Sequence, residues 1–368
     1  MRRLALLCLV FPLAACPNRP APEARSEASS ALIASPPPSA SPAKPFAPAK
    51  VTMEEAAMGT HLSFAAFTTE RLDEAAVRRA FGDAVAEIRR VEALMTTWHP
   101  SDLTRINDAA GVAPVEVSQE TFDLIAESLH DSELSKGAFD ITFESLHGLW
   151  KFDQDLDPNP PSAAAIKAKL PLVDYHHVKL DKGKRTVYLD AKGVRIGLGG
   201  IAKGYAVDRA AAVLDKAGLE SFYVQAGGDL FTRGHKPDGS EWQTGIRDPR
   251  GPEGTFFALL PVSDHAFSTA GDYERSYLAS GKRYHHIIDP HTGYPATASR
   301  SVTIYAPTAL LADEIDDAVF ILGPKDGLAL VESLDGVGAV IVDAKNNLWV
   351  SKRLQGKLRV TAVPTDAP

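Results

Sequence analysis

Residues 197–205 read GLGGIAKGY, the most glycine-dense passage of the chain, and they run directly into a helical pattern that continues to about residue 217. Glycines that open a helix let backbone amides approach an anion, the helix dipole favours negative charge there, and Lys203 adds a cation. The spacing matches neither a Walker loop nor a dinucleotide-binding turn, so an anion site and a plain strand-to-helix connection both remain open. Working outward, residues 176–180 and 186–190 predict a hairpin upstream. Downstream, a strand over residues 222–225 enters a second glycine turn, Ala226-Gly227-Gly228-Asp229, and residues 242–246 predict another strand.

Toward the N-terminus, residues 73–95 place Val77, Phe81, Val85, Ile88 and Val91 on one helical face. A polar and aromatic loop over residues 95–102 carries Trp98. A second helix is predicted over residues 118–135, with Ser118 as N-cap and Gly137 as C-cap. The stretch 137–152 follows, GAFDITFESLHGLWKF, whose Phe139, Trp150 and Phe152 suit either a core or a flat-ring platform. A short helix is predicted over residues 163–170.

Toward the C-terminus, residues 284–295 read YHHIIDPHTGYP. Tyr284, Ile287 and Ile288 favour a strand, while Asp289-Pro290 and Thr292-Gly293 favour a tight turn. A His286/Asp289 pair on a rigid strand end suits general-base chemistry or ligand contact. Two histidines on opposite faces of a strand are the alternative, and the choice between His285 and His286 stays open. Residues 312–323, ADEIDDAVFILG, predict a helix stopped by Gly323-Pro324. At roughly 100° per residue Ile315, Ala318, Val319 and Leu322 share one sector and Asp313, Asp316 and Asp317 group opposite. Asp313 and Asp317 lie one turn apart and repel each other by roughly 0.3 kcal/mol unless a cation neutralises them. An all-oxygen pair suits Mg²⁺, and a solvated acidic face is the alternative. A helix over residues 325–334 and strands over 337–343 and 347–351 complete the chain.

The 368 residues are 45% hydrophobic and 23% charged, enough for one large domain or two smaller ones. A net charge of -8 without clustered Lys and Arg argues against nucleic acid as a partner. Arg2 and Arg3 precede an apolar run ending in Leu13-Ala14-Ala15-Cys16, which predicts a bacterial lipoprotein signal over residues 1–16 with Cys16 as the lipidated residue; a plain secretory signal with Cys16 incidental is the alternative, and both place the chain outside the cytoplasm. Residues 17–50, rich in Pro, Ala and Ser, predict a disordered tether. The folded domain is expected over residues 51–362, with a polar tail at 363–368. The implied location is the periplasmic face of the inner membrane, held there by the lipid on Cys16.

Met58-Gly59-Thr60, the MTTWHPSDLTRIN loop, GAFDIT with Leu149-Trp150 after it, LGGIAKGYAVD, QAGGDL, STAGDYER, HHIIDPHTGYP and ADEIDDAVFILG together resemble, in order and spacing, the ApbE flavin transferases from about Met58 to Val350. The resemblance implies an α+β fold of two T-fold-like halves of antiparallel sheet, with helices enclosing a flavin site. It implies an FAD:protein FMN transferase that uses Mg²⁺ to move FMN from FAD onto a threonine hydroxyl through a phosphoester, releasing AMP. The implied targets are flavin-carrying subunits of membrane redox complexes. Some members instead hydrolyse FAD to FMN and AMP, and a non-catalytic FAD-binding lipoprotein is a third reading.

Carried over by position, Asp313, Asp317 and the main-chain carbonyl of Gly200 are the implied metal ligands. Met58, Trp98, Ala138, Phe139, Asp140, Gly197 and Lys203 are the implied FAD contacts. His286 is the implied base, also in contact with the cofactor, and Asp289 is taken with it as catalytic. The chain departs from the family pattern at Asp317, where Thr is frequent, at Gly197, where Asp is common, at Ala270 for Ser, and at Glu144-Ser145 for Gly-Pro.

Overall fold

A computed structural model describes residues 46–152 and 156–367. The lipoprotein signal, Cys16 and nearly all of the tether lie outside these described residues.

The fold is the expected mixture of antiparallel sheets and helices, and its centre is one eight-stranded sheet whose strands follow one another in chain order. These are Lys50–Ala57, Thr60–Phe67, Phe222–Ala226, Asp229–Arg233, Ala266–Gly271, Ser299–Ala306, Gly338–Asp343 and Leu348–Val350. Every neighbouring pair is antiparallel. The first strand was not legible as one, because its KVTMEEAA sequence carries mostly exposed polar residues and sits at the sheet edge. It pairs along its whole length with Thr60–Phe67 through Met58-Gly59, both at positive φ (54° and 65°), the signature of a two-residue type I′ hairpin.

Helix α1 (Glu74–Met95) begins at Asp73, which accepts from Ala76 N, and buries the predicted stripe. Helix α2 (Asp102–Asp108) is closed by a capping box between Ser101 and Thr104 within the loop that carries Trp98. Helix α3 (Gln119–Leu134) starts at the predicted Ser118 cap, and α4 (Ala163–Lys169) is short. Helix α5 (Ala202–Lys216) follows the glycine passage. Helix α6 (Ala309–Ser333) starts three residues earlier than residue 312, because both Asp208 oxygens accept from its first N–H groups, Ala309 N at 2.8 Å and Leu310 N at 2.9 Å. Gly323, at φ 73°, breaks it as the sequence predicts, and Pro324 restarts it as a kinked second half.

The pleat divides the sheet's side chains between two cores. Val302, Ile304, Ala339 and Ile341 join the core under α1, α5 and α6. On the opposite face Tyr305, Val340 and Val342 pack with Phe257, Leu260 and Ile246 of a three-stranded sheet (Trp242–Arg247, Phe256–Val262, Arg359–Val360). The predicted hairpin pairs Val178–Asp181 with Thr186–Leu189. Phe139 is core at 6% exposure, whereas Trp150 and Phe152 stack on each other at 5.9 Å and lie against Tyr284 and Tyr277.

Helices α5 and α6 cross at Gly204. A Cβ there would meet Ala309 O at 2.3 Å and Asp313 Cβ at 2.7 Å, so only glycine permits this approach. Gly204→Ala is expected to cost about 2 kcal/mol or more by overpacking, lowering the melting temperature by about 5 °C. A melt unchanged from the parent chain would contradict this reading of the crossing.

Candidate functional site

The acids of α6 are not a solvated face. Asp313 and Asp316 are 3% exposed and Glu314 is 1% exposed, because α6 turns this side toward α5, α3 and the sheet. Asp313 Oδ2 accepts from Gly204 N at 2.8 Å and Oδ1 from Lys203 Nζ at 3.2 Å. Lys203 Nζ also donates to Asp229 Oδ2 at 2.6 Å, from the second glycine turn. Lys203, expected as an FAD contact, is therefore the counter-ion of two buried acids. Burial alone would lower its pKa, but Asp229, Asp313 and Asp316 hold it well above the ordinary lysine value.

Ser268 Oγ lies 2.6 Å from both Asp229 Oδ1 and Asp316 Oδ2. A hydroxyl has one proton to give, so one of these carboxyls carries a proton of its own. Asp316 is that group: burial, then Asp317 and Asp313, raise its pKa well above the carboxylate range. Between α3 and α6, Asp131 and Glu314 form a second buried acid pair whose pKa values are both raised, chiefly by burial.

Asp317 is half-buried, and among the described residues no donor reaches its carboxylate. Its Oδ2 sits 3.5 Å from where a Cβ on Gly200 would lie, with Phe139 Cε2 at 3.2 Å from the same point. Gly200 thus brings bare backbone against a partly exposed carboxylate with no protein donor, with Asp313 one turn away on α6. Burial raises the pKa of both acids. This is a site short of positive charge and lined by hard oxygens, which fits Mg²⁺.

These raised values predict how stability depends on pH. The folded chain holds protons on Asp313, Asp316 and Asp317 that the unfolded chain releases near pH 4, so this stabilising contribution is present below about pH 4 and is lost as pH rises through the raised values. In EDTA the melting temperature should fall between about pH 5 and about pH 8, and MgCl₂ should restore more of it at the higher pH. Asp313→Asn should flatten the slope. Equal slopes in parent and variant would contradict the assignment.

The two histidines separate cleanly. His285 is 3% exposed, and its Nε2 lies 2.9 Å from Ala296 O while Ile287 N donates to Nδ1 at 3.3 Å. These partners assign a neutral ring protonated on Nε2, and burial keeps its pKa low. His286 is open to solvent, anchored by its own N–H to Arg275 O at 3.1 Å. Protein mass around the cleft, then Arg275, His285 and Lys203, push its pKa below the ordinary value, and the ring's exposure to water tempers that shift.

Two expected partners have other roles. Asp289 does not hydrogen-bond His286. Its Oδ1 accepts from His291 N at 2.9 Å and its Oδ2 from Thr292 Oγ1 at 3.1 Å, closing the turn that also joins Asp289 N to Tyr294 O. Asp140 likewise has its carboxylate occupied: Oδ1 accepts from Thr142 N and Oγ1 at 2.7 and 2.6 Å, and Oδ2 from Tyr175 N at 2.8 Å. These bonds cap the short helix after Phe139 and use three of the carboxylate's acceptor positions. Ala138 is buried, Met58 N donates to Glu92 Oε1 at 2.8 Å, and Trp98 is 75% exposed with its ring edge-on to His147 at 5.4 Å. Of the departures, Gly197 and Glu144 prove to be neighbours, the Glu144 carboxylate lying 3.1 Å from a Cβ built on Gly197.

Residues 58–341 match the ApbE family. The chain belongs to that family. Its relatives include proteins named FAD:protein FMN transferase from Treponema pallidum, 35% identical over 71% of this chain and 75% of that one, and from Klebsiella pneumoniae, 32% identical over 79% and 83%. Among solved structures, the ApbE protein of Thermotoga maritima superposes with a TM-score of 0.76 at 32% identity, covering 84% of this chain and 99% of that one. The flavinyl transferase ApbE of Pseudomonas stutzeri, in its apo form, gives 0.74 at 26% identity, covering 88% and 100%. Within this ApbE fold, sequence reasoning did not single out Asp229, Ser268 and Asp316 as one network. Asp229 and Ser268 sit inside QAGGDL and STAGDYER, and the signal available was a polar residue next to an apolar one on a strand, Asp229 before Leu230 and Ser268 after Phe267.

Proposed function

We propose that the chain is an FAD:protein FMN transferase, moving FMN from FAD to a threonine hydroxyl of a protein and releasing AMP. The observation that carries this reading is the Asp317 carboxylate, without a protein donor, facing the bare backbone of Gly200 beside Asp313, in a chain whose relatives carry that name. Asp313, Asp317 and the Gly200 carbonyl would hold Mg²⁺, which when bound neutralises non-bridging oxygens of the pyrophosphate. Lys203 sets the charge and position of Asp313. The threonine oxygen bonds to the phosphorus of the FMN half, the bond from that phosphorus to the AMP oxygen breaks, and His286 takes the threonine proton. His286 is neutral near pH 7 because its pKa lies low, so it is free to accept that proton.

The alternative nucleophile is water, giving FMN and AMP. Lipidation at Cys16 and a periplasmic position at the inner membrane belong to the same proposal, with flavin-carrying subunits of membrane redox complexes as targets. No helix among the described residues is long and apolar enough to cross a membrane. The test is AMP release from FAD by the soluble domain in MgCl₂ against EDTA, with and without a target domain. Release that requires both Mg²⁺ and target supports transfer. Release equal without target indicates hydrolysis, and FAD binding with no AMP under any condition leaves only a flavin carrier.

A further inference from the structure

Glu144 lies on the two-turn 3₁₀ helix Ile141–Leu146, its side chain only 12% exposed, and the chemistry above gives it no task. A Cβ built on Gly197 would meet Glu144 Oε2 at 3.1 Å, its Cβ at 3.3 Å and its Cγ at 3.4 Å. The glutamate therefore fills the volume that a side chain at position 197 would take. Gly197 is fixed in that position by its N–H to Ile141 O at 2.9 Å. To one side is His147, with Nδ1 3.4 Å from Glu144 Oε1 and its ring against the exposed indole of Trp98. To the other, the glycine turn runs from Gly197 to Gly200, which faces Asp317. Glu144 stands between an open aromatic surface and the acidic end of the site. Apart from His147, no hydrogen-bond donor reaches its carboxylate among the described residues. Burial pushes that carboxyl up to about 7, against the pull of Arg195 and Lys169.

We propose that Glu144 is a flavin-recognition residue, its carboxylate accepting a hydrogen bond from an O–H or N–H of the flavin half of FAD in the space left by the bare Gly197. The proposal rests on reading the site as an FAD site. The Glu144 carboxylate lies beside His147, whose ring meets the exposed Trp98, and beside the bare Gly197, so a half-buried acceptor stands between an aromatic surface and the glycine turn, as suits a ligand with a flat ring and polar edges. Because the volume is shared, a carboxylate supplied from position 197 should do the same work.

Affinities for FAD, FMN and AMP would be measured by flavin fluorescence and calorimetry for Glu144→Ala, Glu144→Gln, Gly197→Asp and the double variant Glu144→Ala/Gly197→Asp, with a melt of each to show that it folds. Glu144→Ala should weaken FAD and FMN by about tenfold and leave AMP within about twofold, as for a lost hydrogen bond to a charged group. The double variant should recover FAD affinity to within about threefold of the parent, and Gly197→Asp alone should lose it, since two carboxylates would then compete for one volume. Glu144→Gln keeps the shape and should fall between parent and Glu144→Ala. FAD affinity unchanged in Glu144→Ala and Glu144→Gln, an equal loss for AMP, or a double variant no tighter than Glu144→Ala would each overturn the proposal. A parent chain that binds neither FAD nor FMN would contradict the flavin reading of the whole site instead.

Discussion

Asp313→Ala is expected to lower AMP release from FAD by about 10³-fold or more, because it removes a metal-holding carboxylate and strands a cation at the same time. Asp313 joins three parts of the fold: it caps Gly204 N at the start of α5, accepts from Lys203 Nζ and lies one turn from Asp317. Without it, Lys203 retains Asp229 but faces an empty position on α6. Asp313→Asn separates the contributions, since an amide oxygen can still accept from Gly204 N while the charge is gone. The isosteric variant should therefore melt like the parent in EDTA at about pH 5, where the native carboxyl is largely protonated, and still be inactive with Mg²⁺. Activity within about tenfold of the parent in Asp313→Asn would remove Asp313 from the metal site.

His286→Ala should lower turnover by about 10²- to 10³-fold while FAD affinity changes by less than about threefold, the pattern of a base that acts on the nucleophile rather than on the bound cofactor. His286 is exposed and makes its described hydrogen bond through its backbone N–H, so loss of the ring opens no core. Its lowered pKa adds a pH signature. In the free enzyme His286 stays neutral as pH falls through the ordinary histidine value near 6.5, so kcat/KM should remain level there and decline only in more acid solution. His285→Ala is the control, and it should act on stability, because that ring is sealed between Ala296 O, Ile287 N and Phe320. Turnover unchanged in His286→Ala would remove it from the mechanism.

Where local rules decide structure, the chain was readable. The apolar stripe of α1, the Ser118 cap of α3, the hairpin about residues 181–186 and the stop at Gly323-Pro324 all depend on residues within a turn or two of one another. The site was readable as a set of stretches but not as a set of contacts. Lys203 looked like a free cation because its partner Asp229 lies in another glycine turn and Asp313 on a distant helix. Asp289 and His286 looked like a pair because they are close in sequence, yet the turn it closes claims the Asp289 carboxylate first. Asp140 followed the same logic, capping the short helix that follows it. The acidic face of α6 read as possible solvent surface because helical periodicity gives angles, not neighbours. The crossing at Gly204, the packing of α3 and the sheet beneath bury it.

The central claim is tested most directly by intact-mass analysis of a target domain after incubation with this chain, FAD and MgCl₂. The account predicts that the target gains one FMN on a single threonine, that AMP appears in equal amount, and that Thr→Val at that position abolishes both the gain and the target-dependent AMP. An unmodified target beside free FMN and AMP would contradict it.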